Sequence, residues 1–258
     1  KMNKLNFSLF FLLLTLIATP ALAADLTADE IVAKANRASY YAGKDGKADV
    51  TMTIMAADGD TRERQFTILR LNDGAAGDQK FYVYFKAPAD VRKMAFLVWK
   101  NIDREDDRWL WLPALNLKKR IAPGDKRTSF VGSDFFYEDV SGRGIEEDRH
   151  SLLEETDNAY VLRSEPKDSE SVEFAWYQVW IDKQTFLPTK AIYYDRQGQP
   201  YRQVEALKIE TVDGHPTVIE AKASDLRAGT STLNRFNNIS YDIGLNERIF
   251  TGRFLRRP

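Results

Sequence analysis

Few side chains in this sequence have the types and spacing that catalysis or metal binding requires. The chain contains two histidines, His150 and His215, and no cysteine. Neither histidine lies at a spacing that is typical of a zinc site. The sequence also contains no Gly-x-Ser-x-Gly motif for a serine nucleophile and no glycine-rich phosphate loop. These observations favour a protein that is not an enzyme and that uses no cofactor and no metal.

Acidic residues provide the alternative chemistry. Glycoside hydrolysis requires only two well-placed carboxylates, so a hydrolase that acts on a carbohydrate or a lipid stays an alternative reading. The first acidic group contains Arg104 and ends beside Arg108, which is more typical of a solvent-exposed hairpin tip. The three groups are Asp103 to Asp107, Glu138 with Asp139, and Glu146 to Asp148.

Basic residues form two short runs, at 118–120 and at 253–257. Such runs could contact anionic lipid or a membrane partner. Exposed strand edges are the stronger expectation, because lysines at an edge block unwanted sheet pairing. The formal net charge is −1 and the two signs are interspersed, so the composition argues against a nucleic-acid-binding protein.

The elements that must position these residues are one helix followed by many strands. Thr27 and Glu30 form a capping box, which predicts a helix near residues 27–41. From Ala48 onward the apolar residues alternate with polar ones, and turn residues separate the segments. This pattern predicts roughly eleven strands joined by short turns. After a first hairpin that turns at 58–60, strands are expected at 79–86, 91–100, 108–112, 150–155, 159–165, 174–182, 189–195, 201–211, 217–226, 231–242 and 248–255.

So many strands in one flat sheet would leave long edges and a very large apolar face. We therefore expect a mainly β (α+β) fold in which a single antiparallel sheet curls strongly into an unclosed β-barrel, with helices covering its concave face. The stretch Met94–Trp99 is apolar on both faces and needs cover on each side. One domain over residues 24–258 is the simplest organisation.

The first 23 residues have the composition of a secretory signal peptide. Lys1 and Lys4 precede an apolar run, and the small-x-small sequence 21–23 follows it. The run is shorter than the roughly 20 residues that a transmembrane helix needs. We expect cleavage after Ala23 and a monomer located in the periplasm.

Aromatic residues are abundant, with 5 Trp, 11 Tyr and 15 Phe. In a strand, Trp109 and Trp111 would lie on one face, and Leu110 and Leu112 on the other. This stretch is either a core strand covered on both faces or part of the lining of an apolar cavity. In a cavity, each buried methylene of an acyl chain would contribute about 0.8 kcal/mol.

The stretch Asp106–Val140, DDRWLWLPALNLKKRIAPGDKRTSFVGSDFFYEDV, resembles the signature of the outer-membrane lipoprotein-sorting-protein family, relatives of the periplasmic carrier LolA. The resemblance extends more loosely over the rest of the mature chain. It implies an unclosed antiparallel barrel around helices, with a hydrophobic cavity that takes up lipid tails. Several members of the family accompany inner-membrane transporters of the resistance-nodulation-division (RND) type. The resemblance therefore implies such a transporter as a partner, and a lipid or another hydrophobic molecule as the alternative to a lipoprotein cargo. The chain differs from LolA itself in length and in this central motif, so the cargo and the individual cavity residues of LolA are not transferred.

The segment Phe130–Gly144 is expected to fold across the cavity. Its aromatic residues would face apolar surface, while Asp134, Glu138 and Asp139 would form ion pairs or meet water. A structural corner at one end of the barrel is the alternative. The predicted ligand-binding residues of the cavity or its lid are Phe81, Val83, Phe85, Phe96, Val98, Trp109, Trp111, Phe135, Phe136 and Tyr137.

The sequence thus predicts a carrier that binds acyl chains of a lipid or lipoprotein and shuttles them between membranes, with transient membrane contact. An alternative is a periplasmic sensor or assembly module of the same fold, similar to RseB, in which the cavity is incidental.

Overall fold

The computed structural model describes residues 26–256. The predicted signal peptide, residues 1–23, lies outside the described residues. Within them the chain forms a helix α1 at Ala28–Tyr40, a short helix α2 at Tyr137–Ser141 and thirteen strands. The strands are β1 Asp45–Met55, β2 Thr61–Asn72, β3 Gln79–Ala87, β4 Ala95–Lys100, β5 Asp107–Leu112, β6 Leu117–Ile121, β7 Asp148–Glu155, β8 Ala159–Pro166, β9 Trp176–Asp182, β10 Pro188–Tyr194, β11 Pro200–Val212, β12 His215–Asp225 and β13 Thr230–Tyr241.

All thirteen strands belong to one antiparallel sheet that does not close into a barrel. Their order is β6-β5-β4-β3-β2-β1-β13-β12-β11-β10-β9-β8-β7. The predicted fold class is therefore confirmed, although the number of strands is higher than expected. Strand β6 was not among the expected segments, and its basic residues lie at an edge of the sheet as predicted.

The prediction of a strand at 248–255 was wrong. This segment forms short 3₁₀ turns at Glu247–Ile249 and Phe254–Arg256. Its buried side chains, Phe250 and Leu255, are five residues apart, which does not fit the two-residue period of a strand with one buried face. Both pack against the outer face of the sheet, beside Leu97 and Trp111.

The sheet is strongly curled. Six strand spacings separate β3 from β10 in the sheet order, which would be roughly 30 Å in a flat sheet. Side chains of β3 and residues of β10 nevertheless line the same cavity. The inner, concave face therefore encloses the core and the outer face is convex.

Helix α1 covers the second half of the concave face. The Thr27 hydroxyl oxygen accepts the N–H of Glu30, and the Glu30 carboxylate accepts the N–H of Thr27, which completes the capping box that the sequence predicted. Ile31 and Ala35 are its buried residues, and they pack against Leu162 and neighbouring side chains of β8 and β9. None of the helices in residues 26–256 is long and apolar enough to span a bilayer.

A long connection joins the two edges of the sheet. Strands β6 and β7 are consecutive in the chain but lie at opposite edges, so residues 122–147, here called the crossing segment, must pass over the concave face. Phe130, Phe135 and Tyr137 of this segment are buried in the same cluster as the inner side chains of β1 to β5. The predicted passage of Phe130–Gly144 over the inner face is therefore what the structure contains.

Candidate ligand-binding cavity

A cavity of about 400 Å³ lies on the concave face between the crossing segment, the end of α1 and the central strands. This volume falls within the range of about 300–1,000 Å³ that small-molecule sites occupy. The wall is mostly apolar at one end, where Met52, Phe66, Phe81 and Val83 lie opposite Phe135.

The cavity persists because small residues occupy the middle of the sheet. Gly46 and Ala48 of β1 line it, and Ala221 of β12 does so from the other side. Elsewhere on the concave face, aromatic and branched side chains fill the space between the sheet and its cover. An aromatic side chain at Ala221 would extend into this space.

The two ends of the cavity differ in burial and polarity. The inner end is closed, since Met52, Val83 and Phe130 are each no more than 2% exposed. At the other end Arg70 and Tyr241 are only partly buried and line the cavity with polar groups. Gly46, near the polar end, and Met52, near the apolar end, are six residues apart along β1, a distance of about 20 Å in a strand. The cavity is therefore elongated, with an apolar inner end and a polar mouth.

Aromatic side chains of the crossing segment form the inner end. The ring centroid of Phe130 lies 5.5 Å from that of Phe96, 5.9 Å from that of Phe85 and 5.5 Å from that of Tyr137. Such tilted and edge-to-face pairs contribute beyond the burial of their area. The crossing segment is thus part of the hydrophobic core as well as part of the cavity wall.

A buried ion-pair network holds the other side of the crossing segment. Glu138 is 2% exposed, and its Oε2 accepts a hydrogen bond from Arg127 Nη1 at 2.7 Å. Arg143 Nη1 and Lys126 Nζ lie 3.3 and 3.5 Å from its Oε1. Burial opposes ionisation of Glu138, but the charges of Arg127, Arg143 and Lys126 outweigh it and hold the pKa of the carboxyl at about 2.

The network extends to the strands of the second half. Arg127 forms a bidentate pair with Glu173, and Arg143 pairs with Asp148 at the start of β7 at 2.9 Å. The guanidinium of Arg127 also lies 4.7 Å from the ring centroid of Phe174. These contacts connect the crossing segment to β7 and to the chain that precedes β9.

Asp134 and Asp139 attach the segment to further strands. Asp134 accepts hydrogen bonds from the hydroxyl groups of Thr230 and Thr232 on β13. Asp139 pairs with Arg202 of β11 and accepts the backbone N–H of Phe136. Asp139 thus forms an ion pair as expected, whereas Asp134 is held by two hydroxyl groups instead.

The predicted ligand-binding residues fall into four places. Phe81, Val83 and Phe135 line the cavity. Phe85, Phe96, Val98 and Tyr137 are buried behind that wall in the same cluster. Phe136 lies between two guanidinium groups, with Arg202 at 4.1 Å and Arg127 at 5.2 Å from its ring centroid. Trp109 and Trp111 lie on the convex face.

The position of the two tryptophans corrects the sequence interpretation. They do share one face of β5, as their spacing required, but it is the outer one, where Trp111 packs with Phe250 and Leu255. Leu110 lies on the inner face. The alternation of residues fixes which side chains share a face but does not decide which face turns inward.

Sequence reasoning missed the polar residues of the mouth, above all Arg70. This arginine continues the alternation of Phe66 and Ile68 on β2, so it lies on their inner face. A charged residue in an apolar series is a signal that could have identified it.

The residues considered for catalysis have structural partners. A general acid needs a raised pKa, whereas that of Glu138 is lowered. The ring nitrogens of His150 lie 2.7 Å from Ser164 Oγ and 2.9 Å from Ile145 O. Asp103 and Glu105 are exposed at the β4–β5 turn, but Arg108 is buried and pairs with Asp106 at 2.6 Å. Residues 26–256 contain no cluster of histidine and acidic side chains that could hold a metal ion.

The curled open sheet, its helix cover and its apolar cavity define a half-barrel of the LolA type. A family model described as an uncharacterized protein matches residues 77–257, and the chain belongs to that family. No curated protein sequence matches the chain.

Solved structures share the fold over most of the chain. A DUF1329 family protein from Desulfovibrio piger is 26% identical, with a TM-score of 0.80 over 88% of this chain and 97% of its own. A domain described as an outer membrane lipoprotein-sorting protein, from Vibrio parahaemolyticus, is 28% identical, with a TM-score of 0.80 over 89% and 98%. A LolA superfamily protein from Nitrosomonas europaea is 20% identical, with a TM-score of 0.69 over 89% and 100%. The resemblance to the lipoprotein-sorting family inferred from Asp106–Val140 is therefore confirmed.

Proposed function

We propose that this protein is a periplasmic carrier that binds an acyl chain of a lipid or lipoprotein in its cavity and carries it between membranes. The observation that supports this most is the elongated apolar cavity of about 400 Å³ on the concave face. The similarity to a lipoprotein-sorting domain supports it as well. The export signal expected in residues 1–23 is consistent with work in the periplasm.

The size of the cavity suits one hydrocarbon chain. If a methylene takes about the volume of a water molecule, roughly 30 Å³, then about 400 Å³ holds roughly 13 methylenes. At about 0.8 kcal/mol for each, their burial contributes on the order of 10 kcal/mol before the costs of binding. A bilayer gains a similar amount for each methylene that it buries, so a single chain can exchange between the cavity and a membrane.

Transfer of the cargo requires a membrane or protein that donates it and another that accepts it. An inner-membrane RND-type transporter is the partner that the family resemblance implies, and transient membrane contact would deliver the cargo. A carrier of this kind performs no chemistry, which agrees with the paired state of Glu138 and Asp139.

Binding of a fluorescent fatty acid to delipidated protein tests the proposal. The variant Ala221→Phe should fill the cavity and lower affinity at least tenfold, because the new ring takes the space of several methylenes. Ala228→Phe is the matched control, since Ala228 is exposed in the turn after β12 and does not line the cavity. It should bind as the wild type does.

Two results would reject the carrier. One is a wild-type protein that does not bind the fatty acid, and the other is an Ala221→Phe variant that binds it equally well. Retention of a protein partner from envelope extracts by Ala221→Phe, without fatty-acid binding by the wild type, would support the sensor alternative instead. Native mass spectrometry of freshly purified protein would identify the class of any co-purified lipid.

A further inference from the structure

Arg70 differs from the other interior arginines in its partners. Arg127, Arg143 and Arg108 each have a carboxylate oxygen within 3 Å. No carboxylate of residues 26–256 forms an ion pair with Arg70, whose guanidinium donates hydrogen bonds only to the backbone carbonyls of Tyr40, at 2.5 Å, and Ala42. Its Nε is buried and has no hydrogen-bond partner among the described residues.

The acids nearest to Arg70 are occupied by backbone groups. Asp45 accepts the N–H groups of Ile243 and Leu245 at 2.9 and 2.8 Å. Asp242 accepts the N–H of Lys44 at 2.6 Å. They reduce the positive potential at Arg70 but accept no hydrogen bond from its buried Nε.

The two carbonyls that Arg70 contacts lie at the end of α1, where a cation is favourable. This accounts for part of its hydrogen bonding but leaves its charge without an ion pair in the described part of the chain, at a cavity whose wall also contains Lys47, Lys190, Asp139 and Glu205. A charge in such a place is costly unless an anion meets it.

We propose that the cavity selects an amphiphile with one apolar tail and a single anionic group, a carboxylate or a phosphate, which binds to Arg70 at the mouth. The tail then extends about 20 Å along the strands toward Met52 and Phe135. The hydroxyl of Tyr241 lies 2.9 Å from Thr217 Oγ1 at the same end of the cavity, and it is a further donor for the anion when Thr217 donates to it. This inference rests on the proposed function, since it requires that the cavity binds an acyl chain.

Matched probes test the selection directly. The dissociation constants of palmitate and its methyl ester, and of hexadecyl phosphate and hexadecanol, are compared on delipidated wild-type protein. A hydrogen-bonded contact to a charged group corresponds to roughly a 10- to 100-fold preference for the anionic member of each pair. Preference for palmitate over the phosphate, or the reverse, identifies whether a fatty acid or a phosphorylated lipid is the source of the anion.

The variant Arg70→Gln assigns the preference to this side chain. It should bind palmitate roughly 10- to 100-fold more weakly and the methyl ester as tightly as before. Lys44→Gln removes an exposed cation two residues before Gly46 and should change neither constant. Circular dichroism reports whether the loss of the bonds to Tyr40 and Ala42 unfolds α1.

The outcomes of these measurements distinguish failure of the anion selection from failure of the proposed carrier function. Equal wild-type binding of acid and ester overturns the anion selection and leaves the carrier intact, and this comparison needs no variant. Preserved discrimination in a folded Arg70→Gln protein also overturns it. Failure of all four probes to bind rejects the carrier itself, and the anion selection with it.

Discussion

Replacement of Glu138 by glutamine should destabilise the protein strongly, because three cations of the crossing segment share this carboxylate. The pKa of Glu138 is about 2 in the folded protein against an ordinary value of 4.5, a difference that corresponds to about 3 kcal/mol at neutral pH. Removal of one partner from a buried pair costs about 3–5 kcal/mol. The lower figure is expected, because Arg127 keeps Glu173 and Arg143 keeps Asp148. For a domain of this size the midpoint of thermal unfolding should fall by roughly 6–12 °C.

Urea unfolding at a series of pH values measures this effect. The pKa of Glu138 is lowered by folding, so its stabilisation is complete above pH 4.5 and is lost as the pH falls toward 2. The difference between the wild type and Glu138→Gln should therefore be greatest at neutral pH and shrink over this interval. Glu165→Gln, which removes a partly exposed pair with Arg163, should cost less than about 1 kcal/mol. A Glu138→Gln protein as stable as this control at pH 7 would refute the assignment of the network as a structural anchor.

Three further predictions, one of them with a matched control variant, test the surroundings of the cavity. In a denaturant titration, Gly142→Ala should lower the free energy of unfolding by about 2–3 kcal/mol. Its φ is +77°, and the new Cβ would lie 2.6 Å from the ring of Tyr40. The control Gly132→Ala has the same φ with open space around it, and it should cost only about 1 kcal/mol in the same titration. Thr27→Ala removes the cap of α1 and should cost about 1 kcal/mol by thermal melting followed by circular dichroism. Trp111→Ala should destabilise the fold by about 3–5 kcal/mol yet leave fatty-acid affinity unchanged, because the indole lies on the convex face.

The sequence predicted those features that depend on local chemistry. The reciprocal hydrogen bonds between Thr27 and Glu30 fix the start of α1, and the alternation of apolar residues identified most strands. The two tryptophans of β5 share a face as their spacing requires. In each case the information lies within a few residues of the chain.

Features that depend on distant parts of the chain could not be predicted in the same way. Whether Trp111 turns inward is decided by Phe250 and Leu255, which cover it from more than a hundred residues away. The isolation of Arg70 from carboxylates depends on backbone groups that occupy Asp45 and Asp242. The alternation of residues along a strand indicates neither which face is covered nor which carboxylates are already hydrogen-bonded.

The two covers of the concave face differ in how firmly they are held. The crossing segment contributes Phe130 and Tyr137 to the aromatic cluster and is tied to the strands by the Glu138 network. Helix α1 contributes only Ile31 and Ala35 as buried residues. Full burial of one large apolar side chain contributes about 1.5–3 kcal/mol, so separation of α1 from the sheet costs less than displacement of the crossing segment. Any widening of the cavity for a longer tail should therefore occur on the side of the helix, while the aromatic inner end stays in place.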